Sequence, residues 1–268
     1  MKEGNKMTIF FHELKQGKKA GLITSFSSCI LLILIMSVQP KVQNQMKMVE
    51  KLIAGLGPLA QAFAMDKLDM GELLNFYSLE AGNVLLLIGC SFSCVMGISM
   101  LSKEEGRHTS EFLFPHPINR LSVIIQKWLA LIIQLVVFII INTAGTYISF
   151  VMLNQPWDMM LFIKIQLSLL ILFVCVGSIC FSISAFISHE ATGVGVGIAL
   201  TLYVLNLLIN LDVGKDIFKY ITPIYFTEPA KIVTKGTLDT YFAKYYGLIT
   251  IASLLLGTLR YAIKDLRI

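Results

Sequence analysis

Residues 102–127, SKEEGRHTSEFLFPHPINRLSVIIQK, decide how the rest of the chain is read. The stretch carries seven charged side chains, Lys103, Glu104, Glu105, Arg107, Glu111, Arg120 and Lys127, while residues 83–101 before it and 129–153 after it carry none. Even a lenient scale charges about 2.5–3.5 kcal/mol for each ionised side chain at the centre of a bilayer, so seven would cost about 20 kcal/mol. The stretch therefore lies outside hydrocarbon, between two segments that fit inside it. Its pattern, an acidic pair, Arg107, Thr109, Glu111, then Pro117 and Arg120, is unlike a generic connector.

Composition extends this reading to the whole chain. Of 268 residues 56% are apolar and only 15% charged, against roughly 25% charged in a soluble domain, and the mean hydropathy is +0.74. The net charge of +5 is spread over several loops, which excludes a nucleic-acid-binding face and fits basic flanks beside membrane segments. Cys29, Cys90, Cys94, Cys175 and Cys180 all fall in apolar runs. They read as small buried side chains, with neither a metal site nor a disulfide framework.

Taken in order, residues 7–20 read as an amphipathic helix, with Met7, Phe10, Phe11 and Leu14 on one face and His12, Glu13, Lys15, Lys18 and Lys19 on the other. No small-residue cleavage site follows the next apolar run, so the segment reads as a retained interface helix. Six apolar runs are long enough to span, at about residues 22–38, 83–101, 129–153, 165–187, 191–211 and 245–261, all free of charge except the last, which has Arg260 at its edge. Residues 39–82 are expected to form short helices on the membrane surface, one around Val49, Leu52, Ile53 and Leu56 closed by Gly55–Pro58, another over 70–80. Gly193 and Gly197 form a GxxxG that permits close helix packing, and Asn206 and Asn210 follow on the same span as candidate interhelical hydrogen-bonding groups. The whole chain reads as a single transmembrane domain, 1–268, all-α.

An even number of spans puts both termini on one side. That side holds twelve Lys and Arg; the other holds nine in its two long loops, with Lys164 at a membrane edge. The bias favours cytoplasmic termini and a cytoplasmic charged loop. Enzymatic readings find no support. Glu104-Glu105 invites comparison with glutamate-dyad intramembrane proteases, yet none of the four histidines, His12, His108, His116 and His189, sits in a span. No GxxxxGK[ST] loop exists to cradle ATP phosphates, and the expected span interiors hold no carboxylate for a proton relay.

With these residues in view, the chain resembles the permease subunits of ABC-2 type ATP-binding-cassette transporters over nearly its whole length. The resemblance rests on Glu13-Leu14-Lys15 with Lys18-Lys19, on the pattern Glu104-Glu105, Arg107, Thr109, Glu111, Pro117-Ile118-Asn119-Arg120 and Lys127, on Tyr220–Phe226, and on Lys264-Asp265-Leu266. Gln126 stands where a glycine often precedes the lysine, and Gly106-Arg107-His108-Thr109 varies the usual order. The resemblance implies a six-helix permease of an exporter in the cytoplasmic membrane. It implies an interface helix containing Phe10, Phe11, Glu13 and Leu14, and a coupling helix in the loop between helices 2 and 3. It further implies two copies of a separate ATPase holding ATP-Mg, and a second permease. No cofactor is expected on this chain. Cargo would be hydrophobic or amphipathic, a peptide, antibiotic or lipid-like molecule. A non-transporting sensor or assembly subunit is the alternative.

Overall fold

The computed structural model describes residues 8–65, 68–106, 120–187, 189 and 191–263. Among them there is no strand, and five helices are long and apolar enough to cross a membrane.

Helix α1 (Thr8–Asn44) joins the expected interface helix and first span into one rod of 37 residues. The expected boundary at Ala20-Gly21 does not interrupt it, because one helical glycine costs only about 1 kcal/mol. Pro40 lies inside the helix near its end, where it donates no bond to the Met36 carbonyl one turn earlier. Phe10, Glu13, Ser25, Ser28, Leu32, Met36 and Gln39 form the buried stripe, while Lys15, Lys18 and Lys19 point outward. A rod of this length reaches about 55 Å, well beyond a hydrocarbon core of about 30 Å.

Two short helices follow, α2 (Met46–Leu56) and α3 (Pro58–Ala62). Gly57 turns the chain between them at φ +53°, with Pro58 opening α3. Of the expected apolar stripe on α2, Val49 and Ile53 pack against the core, while Leu52 and Leu56 remain exposed.

The next element corrects the sequence reading. Residues 70–80 do not form a separate surface helix; α4 (Leu73–Phe76) runs through a π-helical turn (Tyr77–Ala81) into α5 (Gly82–Gly106). Asn83, read as a boundary, donates its side-chain amide to the Leu79 carbonyl at 2.7 Å, so the polar group is satisfied within the helix. Leu73, Leu74, Phe76, Tyr77 and Leu79 are buried, which holds the extension in place. The second apolar helix therefore runs over Leu73–Ser102 and contains Glu80. The run expected to span, residues 83–101, still holds no carboxylate; Glu80 lies in the helix three residues ahead of it.

Helix α6 (Arg120–Leu153) packs along α1, and α7 (Met159–Ser184) packs on α5. Asp158 caps α7 by accepting the Met160 and Leu161 N–H groups at 2.8 and 3.1 Å. Phe92 stacks on Phe138, and Phe138 meets Phe173 edge to face, so α5, α6 and α7 share one core. Trp157 joins Phe150 and Phe162 at one end of that core, beside the buried Tyr77.

Helix α8 (Thr192–Asn210) lies against α5. The close approach belongs to Gly195, not to the GxxxG pair: a Cβ on Gly195 would sit 2.9 Å from the Val95 backbone, whereas one on Gly193 or Gly197 would meet nothing within 4 Å. Three short helices follow, α9 (Lys215–Phe218), α10 (Ile224–Thr227) and α11 (Pro229–Lys235), and then α12 (Thr240–Ile263) packs on α7. The expected sixth span is thus helical; among the described residues it is not one of the five helices long and apolar enough to cross a membrane.

Gly195→Leu is expected to destabilise the fold by about 1–3 kcal/mol or more, because the neighbour is backbone and cannot yield. Gly193→Leu should leave the melting temperature of the purified chain unchanged. Equal melting of the two variants would disprove the assignment of the packing contact.

Candidate functional site

The charged loop is flanked by the end of α5 and the start of α6. Arg107, Thr109, Glu111 and Pro117 lie outside the described residues; Glu104, Glu105 and Arg120 stand on the flanking helix ends, their side chains outside the description. What the structure describes is the collar into which both helix ends run.

At its centre Lys127 Nζ lies 2.8 Å from Glu13 Oε1, with side chains 0% and 2% exposed. The same ammonium donates to the Met100 carbonyl at 2.8 Å, near the end of α5. One cation thus ties three helices together. Alone, either charge would face a desolvation cost of several kcal/mol; the pair and the added carbonyl bond offset it. Around the pair, Gln126 Oε1 accepts the Phe10 N–H at 3.2 Å and its amide donates to Ser122 Oγ at 3.0 Å. Gln134 Nε2 donates to the Glu13 carbonyl at 3.4 Å. Trp128 Nε1 donates to Ser178 Oγ at 2.9 Å, extending the collar to α7.

Of the expected interface-helix residues, Phe10 and Glu13 are buried in this collar, Leu14 is half-buried and Phe11 is exposed. Phe10 and Phe11 meet edge to face at 5.2 Å. Sequence reasoning placed Glu13 and Lys127 in separate motifs 114 residues apart and did not pair them. The available signal was weak: opposite charges, Lys127 just outside a long apolar run and Glu13 nine residues ahead of another. Gln126, read only as a departure from a pattern, supplies the acceptor for an amide near the start of α1.

The expected packing residues of α8 divide. Gly193 and Gly197 are exposed and Asn206 and Asn210 buried. Asn210 Nδ2 donates to the Ala62 carbonyl at 3.1 Å and to Glu228 Oε1 at 2.9 Å, which fastens α8 to α3 and to the start of α11. Glu228 is also paired with Lys231 at 2.8 Å, and Lys231 Nζ sits 3.5 Å above the Tyr225 ring. Neither Glu80 nor Glu228 figured among the expected site residues. Among the described residues no cluster of three or more His, Cys, Asp or Glu could hold a metal ion.

The collar locks an N-terminal helix to the helices on both sides of the charged loop, in a chain of apolar helices. The family model described as ABC-2 family transporter protein matches residues 7–261. The chain belongs to the ABC-2 transporter family. A comparison with curated proteins finds no match. Family and helices together make the chain a multi-pass membrane protein and the permease subunit of an ABC transporter, a class that works with an ABC ATPase. In this permease the resemblance seen in the sequence is borne out at the level of family.

Lys127→Ala, which strands Glu13 in a buried site, should cost about 3–5 kcal/mol. Glu13→Leu combined with Lys127→Met should recover most of that loss. Thermal unfolding of the wild type and the two variants in lipid nanodiscs reads the coupling; a double variant no more stable than Lys127→Ala would show that the pair makes no energetic contact.

Proposed function

We propose that this permease serves an exporter of the cytoplasmic membrane, moving a hydrophobic or amphipathic molecule outward, with a peptide, antibiotic or lipid-like compound as cargo. A separate ATPase in two copies, holding ATP-Mg, docks on the loop between α5 and α6, and a second permease completes the pathway. The observation that supports this most directly is the Lys127–Glu13 pair. It joins the residue that ends the loop to the N-terminal helix, so that a push on the loop reaches α1 and α5 together. A loop rich in both charge signs suits a cytosolic protein partner.

Six spans with both termini in the cytoplasm are the topology proposed. For the sixth, α12 presents Leu248, Ile251, Leu255, Leu256 and Leu259 as an exposed apolar face suited to lipid. The second permease is assigned to the outer face of α8, where Gly193, Val194, Val196, Gly197, Leu200 and Val204 are exposed. Gly197→Leu should then reduce assembly and transport while membrane insertion and the melting of the isolated chain persist.

Docking is tested by changing Glu105, Glu111 and Arg120 singly to Ala and purifying each variant with its ATPase. Loss of one partner of a docked charge pair costs about 2–5 kcal/mol, so ATPase retention or stimulation should fall and transport stop, with insertion intact. Wild-type ATPase binding and transport in all three variants would remove the docking role. Topology is tested in a cysteine-free background. Cysteine replacing Lys235 should react with an impermeant thiol reagent on intact cells, and cysteine replacing His108 should not.

A further inference from the structure

A polar cluster lies where α5, α8 and α11 meet, and none of the roles assigned above uses all of it. Glu80 sits on the π-helical turn; Tyr203, Asn206 and Asn210 lie at i, i+3 and i+7 along one face of α8; Glu228 immediately precedes α11. Packing brings these elements together. A Cβ on Gly82 would stand 3.1 Å from the Pro229 ring, which puts the residues two before and one before that contact, Glu80 and Glu228, in one neighbourhood. Asn210 bonds Glu228 directly, and Tyr203 is within electrostatic reach of both carboxylates.

Charge and hydrogen-bond accounting then singles out three acceptors. Glu228 has Lys231 and Asn210. Glu80 has neither an ion-pair nor a hydrogen-bond partner among the described residues, although it stands in a candidate span. The Oδ1 atoms of Asn206 and Asn210, whose residues are 3% and 5% exposed, accept no hydrogen bond. A buried acceptor without a donor costs about 1–3 kcal/mol, and a carboxylate at membrane depth costs more. A π turn is itself a frequent mark of a functional site in a helix.

We propose that this cluster binds the protonated amine of an amphipathic cargo. An ammonium brings one positive charge and three N–H donors, matching one unpaired carboxylate and two orphaned amide oxygens. A hard metal ion such as calcium takes six to eight oxygens, whereas the acceptors left over, on Glu80, Asn206 and Asn210, supply four. Access is available because Glu80 and Tyr203 are only half-buried. The assignment of an amine as cargo rests on the permease reading above.

The test measures thermal stabilisation of the full-length permease in nanodiscs by n-hexylammonium, compared with hexan-1-ol, hexyltrimethylammonium and Na⁺. Hexylammonium should raise the melting temperature with saturation, and the other three should not. Glu80→Gln should weaken its apparent affinity about tenfold or more, the loss expected of one charge-assisted hydrogen bond. Asn206→Leu should equal or exceed the wild type in basal melting temperature and yet lose the amine response, a combination that a purely structural asparagine would not give. Equal stabilisation by hexan-1-ol or by Na⁺, or an unchanged response in Glu80→Gln, overturns the amine site. Those outcomes leave the permease reading intact wherever the chain still co-purifies with its ATPase; loss of that association overturns the permease reading instead.

Discussion

An ammonium and a carboxylate, both almost wholly withdrawn from solvent, hold this permease together where its charged loop meets its apolar helices. Such a pair is a poor source of net stability, since its attraction is largely spent on desolvation. Its value lies in uniqueness. Lys127 can be satisfied only when α1 supplies Glu13 and α5 supplies the Met100 carbonyl, so every other register of the three helices strands a charge. Apolar helix faces slide past one another at little cost. This contact makes one arrangement far better than its neighbours.

The same logic recurs along α1 in neutral form. Ser28 Oγ donates to Asn142 Oδ1 at 2.8 Å midway along the rod. Near its far end Gln39 Nε2 donates to the Gly71 carbonyl at 3.0 Å and to Gln155 Oε1 at 3.1 Å, while Gln155 returns a bond to Gln39 and reaches Gln43 at 2.8 Å. Polar side chains thus fix the relation of α1 to α6 at both ends and in the middle, with apolar packing between them. In lipid, where the solvent is as apolar as leucine, such interhelical bonds and close packing carry association.

How much of this was legible follows from what hydropathy measures. It finds stretches that lipid tolerates, and residues 129–153 and most of 165–187 lie within α6 and α7, which begin nine and six residues earlier. It does not find helix that continues past the apolar run. α1 extends on both sides of residues 22–38, and α5 is preceded by two further helical segments, because buried neighbours and local hydrogen bonds sustain polar residues there. For the same reason Glu80 escaped notice, lying three residues ahead of the charge-free segment. The GxxxG at Gly193 and Gly197 was visible, but only backbone coordinates reveal that the glycine between them makes the intrachain contact. Pairing Glu13 with Lys127 needs knowledge of which helices are neighbours, and one sequence carries little of that.

The side-chain bonds that hold α1 to α6 and its following connection reach partners 112 to 121 residues later in the chain. At synthesis rates of about 5–20 residues per second, more than 100 residues take about 5–20 seconds to follow. Helix α1 must therefore wait, with Glu13, Ser28 and Gln39 still lacking their eventual α6-side partners, until α6 arrives beside it. Biogenesis has an interval in which α1 is inserted but not yet docked. During that interval its polar stripe has no helix α6 packed over it.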